Sequence, residues 1–424
     1  TERLKVTRDH SYFMGSAALV QFIPLITAPI IARLYTPEDF GVYAIFYGLV
    51  AIVSTIVQLA LHNSILIEGS DEEAASAHLL SVGVSILMSA LVWGLVIVVP
   101  GPFITDQFGV GVVRLLSWLP ATILVSSLYG CFYTWWIREG LYKRLAKNKL
   151  VLGASTAVIQ ISIGLAGLGA IGFVWANLLG TVLATLLLLG VILTDMDRID
   201  HGFSVRKAWL KFCKHKNLAL YTMPAGLVNT TASYLPEYFI NLSFGATSVG
   251  QYNLATRMVN MPLTFLSVSV QDIFRQEASL ELNENGNCNS SFNRFFFLMF
   301  VAALFIVVPL VLLLPYVFPI IFGSQWIEAG AMIQPMIILI AIRFVSSPLS
   351  YVWIIRGHQR LDLLWQFGLI SFTLLGFILP SYVDNNASLE SSLWFYSGLC
   401  GGWYAFCVFL SHRFANRSGH SQVL

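Results

Sequence analysis

Residues 172–194 read GFVWANLLGTVLATLLLLGVILT, a predominantly apolar run without a charged side chain. A helix of about 20 such residues is long enough to cross the hydrocarbon core of a bilayer. Lipid cannot hydrogen-bond a bare backbone, so a spanning segment must be a helix or part of a closed barrel. A barrel strand would alternate apolar and polar residues, and residues 182–193 show no alternation. This stretch therefore predicts a membrane-spanning α-helix.

The same pattern recurs through the chain, which has 424 residues, 57% of them hydrophobic and only 11% charged. Soluble domains carry about a quarter charged residues. We therefore predict an all-α polytopic membrane protein with twelve transmembrane helices. These predicted spans, numbered in chain order, cover residues 11–32, 41–62, 77–99, 115–137, 150–170, 172–194, 218–243, 250–271, 295–321, 329–354, 363–383 and 391–411.

Lys and Arg residues are distributed unevenly between the two ends of these spans. Of the 24 such residues, 20 lie in connections on one side. Arg33 and Arg114 lie on the other side, and Arg257 and Arg343 lie inside spans. Because cytoplasmic loops carry the excess of Lys and Arg, we predict that both termini are cytoplasmic.

Two dense basic clusters, 138–149 and 206–216, lie on the predicted cytoplasmic side, together with the acidic run from Glu68 to Glu73. The basic clusters have two interpretations. In the first, they set the topology and touch anionic lipid. In the second, they draw in a lipid-linked diphosphate from the inner leaflet.

The chain shows no motif for a metal ion or a cofactor. Its five cysteines form no CxxC pair and no cluster with histidine at metal-ligand spacing. Cys400 and Cys407 lie seven residues apart on one helical face, where we expect ordinary buried thiols. We therefore expect no cofactor, and the net charge of +2 gives no indication of a nucleic-acid partner.

Two halves of the chain resemble each other. Residues 31–43 read IARLYTPEDFGVY and residues 240–252 read INLSFGATSVGQY; their Ile, Gly and Tyr match at a shift of 209. Residues 133–138 (YTWWIR) match residues 351–356 (YVWIIR) at a shift of 218. The matches fall at the first and fourth helices of two sets of six.

Six is an even number, so both sets have the same orientation in the membrane. This is a parallel repeat, whose axis runs along the membrane normal. We predict two six-helix bundles, an N-lobe of residues 1–200 and a C-lobe of residues 201–424, around a central cavity. Two such bundles are typical of an alternating-access transporter.

Span 8 carries the clearest polar pattern. Its polar residues are spaced 4, 3, 4, 3 and 4 apart, which makes one continuous helical face. Lipid would reject this face, so it lines a water-filled cavity or makes a polar contact with another helix. The repeat predicts a similar face on span 2, which includes Gln58. The span 8 face consists of Asn253, Arg257, Asn260, Thr264, Ser267 and Gln271.

Spans 7 and 1 are repeat partners that also carry polar residues. Span 7 places Thr230, Glu237 and other polar residues at helical spacing, and span 1 has Gln21 near its centre. Span 1 also contains Pro29, which predicts a bend. The bend is either part of a rocking movement or a static kink.

Glu237, Arg257 and Arg343 lie well inside predicted spans. A charge there costs at least about 2.5 kcal/mol, so such residues face the interior and mark a function. Glu237 and Arg257 each lie ten residues from Thr247, the predicted turn, and so are level enough to form a structural ion pair. Alternatively, Arg257, Arg343 and Arg33, at the cavity mouth, attract an anionic substrate group, while Glu237 couples transport to an ion.

Residues 29–43, PIIARLYTPEDFGVY, resemble the first-loop signature of Wzx-type O-antigen and polysaccharide flippases. In that family a helix ends in Arg-Leu, a turn with Pro or Ser and an acid follows, and Gly-x-Tyr opens the next helix. Residues 250–257, GQYNLATR, resemble the matching opening of span 8. The family belongs to the multidrug/oligosaccharidyl-lipid/polysaccharide exporter superfamily, with multidrug-and-toxin extruders and lipid II flippases.

The resemblance implies a non-enzymatic flippase of the bacterial inner membrane. Its substrate would be an undecaprenyl-diphosphate-linked oligosaccharide, such as the O-antigen unit of lipopolysaccharide, moved from the cytoplasmic to the periplasmic leaflet. H⁺ or Na⁺ antiport would drive the movement. Arg257 matches a lumen arginine, and the cavity arginines would meet the diphosphate or acidic sugars. Membrane lipids and polysaccharide polymerase machinery are the implied partners.

Two other functions remain open. A multidrug or organic-cation antiporter of the same fold would need an acid in the cavity, and Glu237 is a candidate. A membrane polysaccharide polymerase or glycosyltransferase would need paired acids or a DxD motif near a large loop. Asp195 and Asp197 formally make a DxD motif, but no glycosyltransferase domain accompanies them.

Overall fold

The structure, a computed structural model, describes residues 22–98, 107–194, 205–383 and 388–417. Every regular element in these ranges is helical, as predicted. Short 3₁₀ or π-helical turns link several neighbouring helices. In chain order the helices are α1 (Phe22–Leu34), α2 (Pro37–Gln58), α3 (Ser64–Ile67), α4 (Asp71–Val98), α5 (Val110–Leu115), α6 (Leu119–Arg138), α7 (Tyr142–Leu165), α8 (Ala170–Thr194), α9 (Val205–Asn217), α10 (Met223–Asn285), α11 (Asn289–Ala302), α12 (Val308–Phe322), α13 (Ile327–Ile333), α14 (Ile337–Leu349), α15 (Val352–Ile355), α16 (Gln359–Val383) and α17 (Leu389–Asn416).

Within the described ranges, nine helical stretches are long and apolar enough to cross a membrane, and α1 is apolar but shorter. α10 contains all of predicted span 8 and residues 223–243 of predicted span 7. It bends at Gly245, whose φ of 80° and ψ of 173° are not helical. The prediction of an all-α polytopic membrane protein is confirmed, and the count of twelve spans stays a prediction. The nine stretches are Pro37–Gln58, Asp71–Val98, Val110–Arg138, Tyr142–Leu165, Ala170–Gly190, Asn289–Phe322, Ile337–Ile355, Leu364–Val383 and Leu389–Asn416.

The described residues group into two compact units. Unit 1 contains those up to Tyr234 together with Gly245–Gly250. Unit 2 contains Leu235–Phe244 and the described residues from Gln251 onward. The predicted lobe boundary at residues 200 and 201 lies outside the described residues. We call residues 223–244 of α10 its first arm and residues 246–285 its second arm.

The first loop, between α1 and α2, is fixed by hydrogen bonds. Thr36 and Asp39 form a capping box, in which each side chain accepts the other's backbone N–H. The second oxygen of Asp39 accepts the N–H of Ala170 at 2.8 Å and so also caps α8. Tyr35 is 2% exposed and donates to the Gln160 carbonyl at 2.7 Å. The acid and the tyrosine of the first-loop motif therefore hold the fold of unit 1.

Two glycines that match in the repeat, Gly41 and Gly250, lie against each other in unit 1. A Cβ on Gly41 would overlap the Ala246 carbonyl, and a Cβ on Gly250 would overlap the Pro37 carbonyl. Backbones can approach this closely at small residues alone. Any side chain at Gly41 would therefore collide with the backbone at Ala246, and any side chain at Gly250 with the backbone at Pro37.

The repeat is also visible in the contacts that follow each glycine. Val42 packs against Gly111 of α5, where a Cβ would lie 2.7 Å from a Val42 methyl. Its counterpart Gln251 accepts the N–H of Ala329 in α13 at 3.0 Å. Val42 and Gln251 are related by the shift of 209, and Gly111 and Ala329 by the shift of 218. The sequence repeat thus corresponds to a repeated structure.

Each half also has an arginine that donates hydrogen bonds to two backbone carbonyls distant in sequence. Arg138, at the end of α6, donates to the carbonyls of Ile65 and Glu68 at 2.9 and 2.7 Å. Arg356, just after α15, donates to the carbonyls of Gly286 and Arg417 at 3.3 and 2.6 Å. These are the arginines that end the two matched segments 133–138 and 351–356.

Residues 205–217, predicted to be part of a polar connection, form the helix α9. Three of its basic side chains contact Glu68, whose side chain is 2% exposed. Lys211, Lys214 and His215 reach its carboxylate at 2.8, 2.6 and 2.8 Å. Burial alone would raise the pKa of Glu68, but these hydrogen bonds outweigh it and hold the pKa well below its ordinary value. Two lysines of this basic cluster are therefore engaged with acids of the chain.

Candidate functional site

Glu237 and Asn253 face each other across the Gly245 bend of α10. The Asn253 side-chain amide donates to Glu237 Oε1 at 2.8 Å. Glu237 is 8% exposed, and its Oε2 is buried with no hydrogen-bond partner among the described residues. The carboxylate therefore keeps one free acceptor inside unit 2.

The predicted ion pair between Glu237 and Arg257 is not formed among the described residues. The reason is the position of the turn. The chain bends at Gly245 rather than at Thr247, so the residue level with Glu237 is Asn253, eight positions on the other side of the bend. Arg257 lies one helical turn further along the second arm and is half-buried.

Arg343 lies on α14 and has three tyrosine neighbours. Tyr252, Tyr396 and Tyr404, which come from α10 and α17, lie within electrostatic reach of its guanidinium. The Arg343 side chain nevertheless stays exposed. In the described part of the chain it has neither a hydrogen bond nor an acidic partner. Its charge therefore sits in a membrane-embedded helix without compensation from the protein.

An aromatic frame holds the helices around Arg343. Phe239, two residues after Glu237, stacks on Phe377 of α16 with ring centroids 5.7 Å apart. Phe377 in turn packs on Tyr396 at 5.3 Å. One turn before Arg343, the Leu339 N–H donates to Ser397 of α17 at 3.1 Å. Unit 2 thus places α10, α14, α16 and α17 in a fixed arrangement around the charged residues.

Tyr252 is next to Asn253 in sequence and interacts electrostatically with Glu237 and Arg343. It is 6% exposed and also has Tyr396 as an electrostatic neighbour. We use the name unit 2 node for the group that these contacts define. The unit 2 node consists of Glu237, Tyr252, Asn253, Arg343, Tyr396 and Tyr404.

The polar face predicted on span 8 lies on the second arm of α10. Asn253, Arg257, Asn260 and Gln271 are half-buried and Thr264 is exposed, whereas Ser267 is buried. The apolar residues between them, such as Leu254, Ala255, Val259 and Leu263, are buried and do the packing. Helix–helix contact therefore accounts for Ser267, and cavity lining stays the prediction for the other members.

The remaining predicted site residues belong to the N-terminal part of the chain. Gln58, at the end of α2, is half-buried and lies near Gly130 of α6. Arg33 is exposed in the last turn of α1. Gln21 lies outside the described residues.

Sequence reasoning missed the three tyrosines of the unit 2 node. Tyrosine is common in membrane proteins at the water interface, so its presence alone is not a signal. The position of Tyr252 beside Asn253, at the head of the polar face, was the available indication. Across the described ranges no three His, Cys, Asp or Glu side chains gather as a metal ion would require.

A protein-family model described as "Polysaccharide biosynthesis protein" matches residues 30–331. No curated protein matches the chain significantly.

Solved transporters share the fold. The lipid II flippase MurJ in an inward closed conformation aligns with a TM-score of 0.73 at 13% identity, over 95% of this chain and 87% of that chain. An inward-facing MATE-family multidrug resistance transporter of the MOP superfamily aligns with a TM-score of 0.68 at 14% identity, over 93% of each chain. The MATE multidrug transporter DinF-BH aligns with a TM-score of 0.66 at 16% identity, over 97% of this chain and 95% of that chain.

Proposed function

Because the chain belongs to the family of polysaccharide biosynthesis proteins and has the fold of MATE and lipid II transporters, we propose that it flips an undecaprenyl-diphosphate-linked oligosaccharide across the membrane. The resemblance of its first loop to flippases of this superfamily is confirmed by that family and fold. The fold is that of transporters rather than of enzymes. The oligosaccharide, its diphosphate lipid and the direction of movement are the proposal.

The observation that carries the proposal is the uncompensated guanidinium of Arg343. A charge in a membrane-spanning helix costs at least about 2.5 kcal/mol unless it meets water, a partner or a ligand. Within the described residues, tyrosines surround Arg343 and no acid pairs with it. A guanidinium offers two parallel donors that match two phosphate oxygens. A bound diphosphate would therefore supply the negative charge that no acidic side chain among the described residues supplies to Arg343.

The transport path would run along the polar faces of the helices. In this proposal Arg343 and Arg257 meet the diphosphate or acidic sugars, and the other polar side chains accept sugar hydroxyls. The polyprenyl tail stays in the bilayer. The two halves of the repeat would rock between states open to the cytoplasm and to the periplasm. The proposed lining residues are Gln21, Arg33, Gln58, Asn253, Arg257, Asn260, Thr264, Gln271 and Arg343.

Glu237 is the proposed site of ion coupling. Its Oε1 is held by Asn253, and its Oε2 is buried and unpartnered among the described residues. Such an oxygen can take up H⁺ or contribute to binding of Na⁺. In the proposed setting, with the chain in the bacterial inner membrane and both termini cytoplasmic, an inward ion flow would drive an outward flow of substrate. Association with polysaccharide polymerase machinery would follow on the periplasmic side.

A multidrug or organic-cation antiporter is the second candidate. The buried acid Glu237 and the shared fold with MATE transporters favour it. A cation would bind at Glu237 and would be repelled by Arg343. The family and the fold are those of transporters, which speaks against the glycosyltransferase alternative. Its Asp195 and Asp197 lie outside the described residues.

The test is transport by the purified protein in liposomes. A fluorescent undecaprenyl-diphosphate-linked oligosaccharide is placed in both leaflets, and its movement is measured by its accessibility to an external quencher. We expect movement with the wild type and at least a tenfold slower movement with Arg343→Gln. Arg257→Ala should abolish surface glycan in cells while the protein stays in the membrane, and Arg114→Gln, which changes an arginine outside the proposed path, is the matched control. Uptake of organic cations without movement of the lipid would establish the antiporter instead.

A further inference from the structure

Arg275 continues the polar face of the second arm of α10 toward the predicted cytoplasmic side. It lies four residues after Gln271, the last member of the face predicted on span 8, and this spacing keeps it on the same side of the helix. Its side chain is exposed, and its guanidinium carbon lies over the ring of Tyr351, 4.9 Å from the ring centroid. The polar face therefore ends in an arginine that a tyrosine holds in position.

Tyr351 and Arg343 share one face of a single helical stretch, Ile337–Ile355. They are eight residues apart with Ser347 halfway between them, so the three side chains leave the helix on the same side. Arg343 and Ser347 are exposed and Tyr351 is half-buried, whereas the adjacent Phe344 is buried. The face that carries Arg343 therefore reaches, about two helical turns further on, the tyrosine that contacts α10.

The contact with Tyr351 does not use the hydrogen-bonding capacity of the guanidinium. A cation over an aromatic ring is attracted by the quadrupole of the ring and needs no acceptor, so its N–H donors stay available. Within the described residues Arg275 makes no hydrogen bond or ion pair, although Asp272 lies one turn before it. Glu277, the next acid along the chain, pairs with Arg294 instead. Arg275 therefore presents a planar fork of donors that matches two phosphate oxygens.

The matching tyrosine of the first half also holds a cation. Tyr133, related to Tyr351 by the shift of 218, has the Lys149 ammonium 5.1 Å from its ring centroid. Lys149 belongs to α7, whose counterpart at this shift is α16, whereas Arg275 belongs to α10. The two halves therefore share a cation beside this tyrosine although the cations come from helices that do not correspond. This recurrence favours a function for the cation over a by-product of the repeat.

We propose that Arg275 is a second diphosphate-binding residue of unit 2, at the cytoplasmic end of the face that leads to Arg343. This inference rests on the proposed flippase function and deepens it by adding the place where the substrate's diphosphate first meets the protein. Tyr351 is the positioning residue that holds the guanidinium on this face. On the predicted topology, a substrate from the cytoplasmic leaflet reaches Arg275 before Arg343, which lies about 12 Å further along the helix than Tyr351.

Ligand binding to the purified protein in a neutral detergent, measured by microscale thermophoresis, tests the proposal. The ligands are undecaprenyl diphosphate and undecaprenol, which lacks the phosphates. Arg275→Gln removes the charge, and Arg275→Lys keeps the charge without the planar fork. Arg413→Gln is the matched control, because Arg413 is also exposed and lies 4.8 Å over the ring of Phe409, but on α17. All variants should keep the melting temperature of the wild type, since both arginines are exposed.

We expect Arg275→Gln to weaken the binding of undecaprenyl diphosphate about tenfold, because charge-assisted hydrogen bonds are lost. Arg275→Lys should weaken it about threefold. Tyr351→Leu, which removes the ring, should also weaken it about threefold, whereas Tyr351→Phe keeps the ring and should have little effect. Arg413→Gln should change it less than about twofold, and none of the variants should change the binding of undecaprenol.

Unchanged affinity of Arg275→Gln, beside a wild type whose binding Arg343→Gln weakens, would overturn this inference and leave the proposed function standing. Displacement of undecaprenyl diphosphate from the wild type by an equal concentration of phosphatidylglycerol would also overturn it, because Arg275 would then contact anionic lipid in general. If the wild type shows no saturable binding of undecaprenyl diphosphate, the proposed function itself fails.

Discussion

The two halves of the chain build the same junction with different chemistry. In the first half, the guanidinium of Arg138 donates to the Glu68 carbonyl; in the second, that of Arg356 donates to the Gly286 carbonyl. Both members of each pair are related by the shift of 218. Glu68 also has a carboxylate, which binds three basic residues of α9. Gly286 has no side chain and offers its backbone alone.

The element that the two halves share is therefore the hydrogen bond from the arginine to a backbone carbonyl, Arg138 to Glu68 and Arg356 to Gly286. Such a contact needs only a backbone, so the side chain at that position can take on another function. In the first half it anchors α9, the helix that leads into α10. The second half has no counterpart of α9 at that place among the described residues and instead brings the Arg417 carbonyl to Arg356.

The two halves also differ in the number of residues between their matched segments, 31–43 and 133–138 in the first half and 240–252 and 351–356 in the second. The two shifts, 209 and 218, differ by nine residues. α2 ends at Gln58, and Leu59 and Ala60 follow with positive φ angles of 46° and 54° before the chain continues in short helices. The second arm of α10 runs on as a helix to Asn285. The additional residues of the second half therefore lie in a continuous helix where the first half has a break.

The largest expected effect comes from the glycines that the two halves share. Gly41→Ala or Gly250→Ala would place a Cβ on a backbone carbonyl, which no side-chain rotation can relieve. We expect a loss of more than about 3 kcal/mol or failure to fold. The yield of monodisperse protein and its melting temperature measure this. Gly69→Ala and Gly398→Ala are controls, because no atom lies within 4 Å of a Cβ there. Equal stability of Gly41→Ala and Gly69→Ala would show that the backbones do not meet.

Much of this architecture could be predicted from the sequence, because long apolar runs and a matched Gly-x-Tyr at two places leave few alternatives. The hydrogen-bond partner of Glu237, Asn253, could not be predicted from the sequence. A difference of two residues in the position of the bend, Gly245 instead of Thr247, replaces Arg257 by Asn253 as the residue at its level. No local pattern specifies that difference. The helix α9 was missed because its charged residues were interpreted as a loop.

The second prediction removes the side chain that distinguishes the halves. Glu68→Gln leaves the Arg138 contact intact but takes a negative charge from among the basic groups of α9. Lys214 is half-exposed, so solvent weakens its share. We expect a loss of about 2–3 kcal/mol in unfolding free energy at neutral pH. The matched control is Glu281→Gln in the second half, whose carboxylate caps α11 through Ser290 and Ser291.

The same residue makes stability depend on pH. The pKa of Glu68 is lowered in the folded chain, so its contribution is complete above the ordinary carboxylate value of about 4.3 and is lost as pH falls toward the lower folded value. The wild type should therefore lose stability between about pH 5 and pH 3 more steeply than Glu68→Gln. Melting curves over this range check it. Parallel curves for the two proteins would contradict the role assigned to the Glu68 carboxylate.

The third prediction sharpens what the halves have in common. Arg138→Ala and Arg356→Ala each remove a guanidinium that donates to two carbonyls. We expect each substitution to lower the free energy of unfolding by about 2 kcal/mol, and the two losses to differ by less than about 0.5 kcal/mol. The additional contact of Arg138 with Asp71 changes little, because Asp71 is 88% exposed. Lysine at either position should not restore stability, since it lacks the planar fork. A much larger loss for one arginine would mean that the junctions are not equivalent.

The smallest expected effect concerns Gln251 and Val42, which match in the repeat but differ in chemistry. Gln251 donates to the Gln325 carbonyl at 2.7 Å and accepts the Ala329 N–H at 3.0 Å, so Gln251→Leu removes two hydrogen bonds to the backbone. We expect a loss of about 1–2 kcal/mol. Val42→Ala removes methyl groups that pack on Gly111 and should cost about 1 kcal/mol. Denaturation of the two variants beside the wild type measures the difference. A larger loss of stability with Val42→Ala than with Gln251→Leu would contradict this order. It would mean that apolar packing, rather than hydrogen bonding, holds α5 and α13 in place, because Val42 has no polar side-chain group.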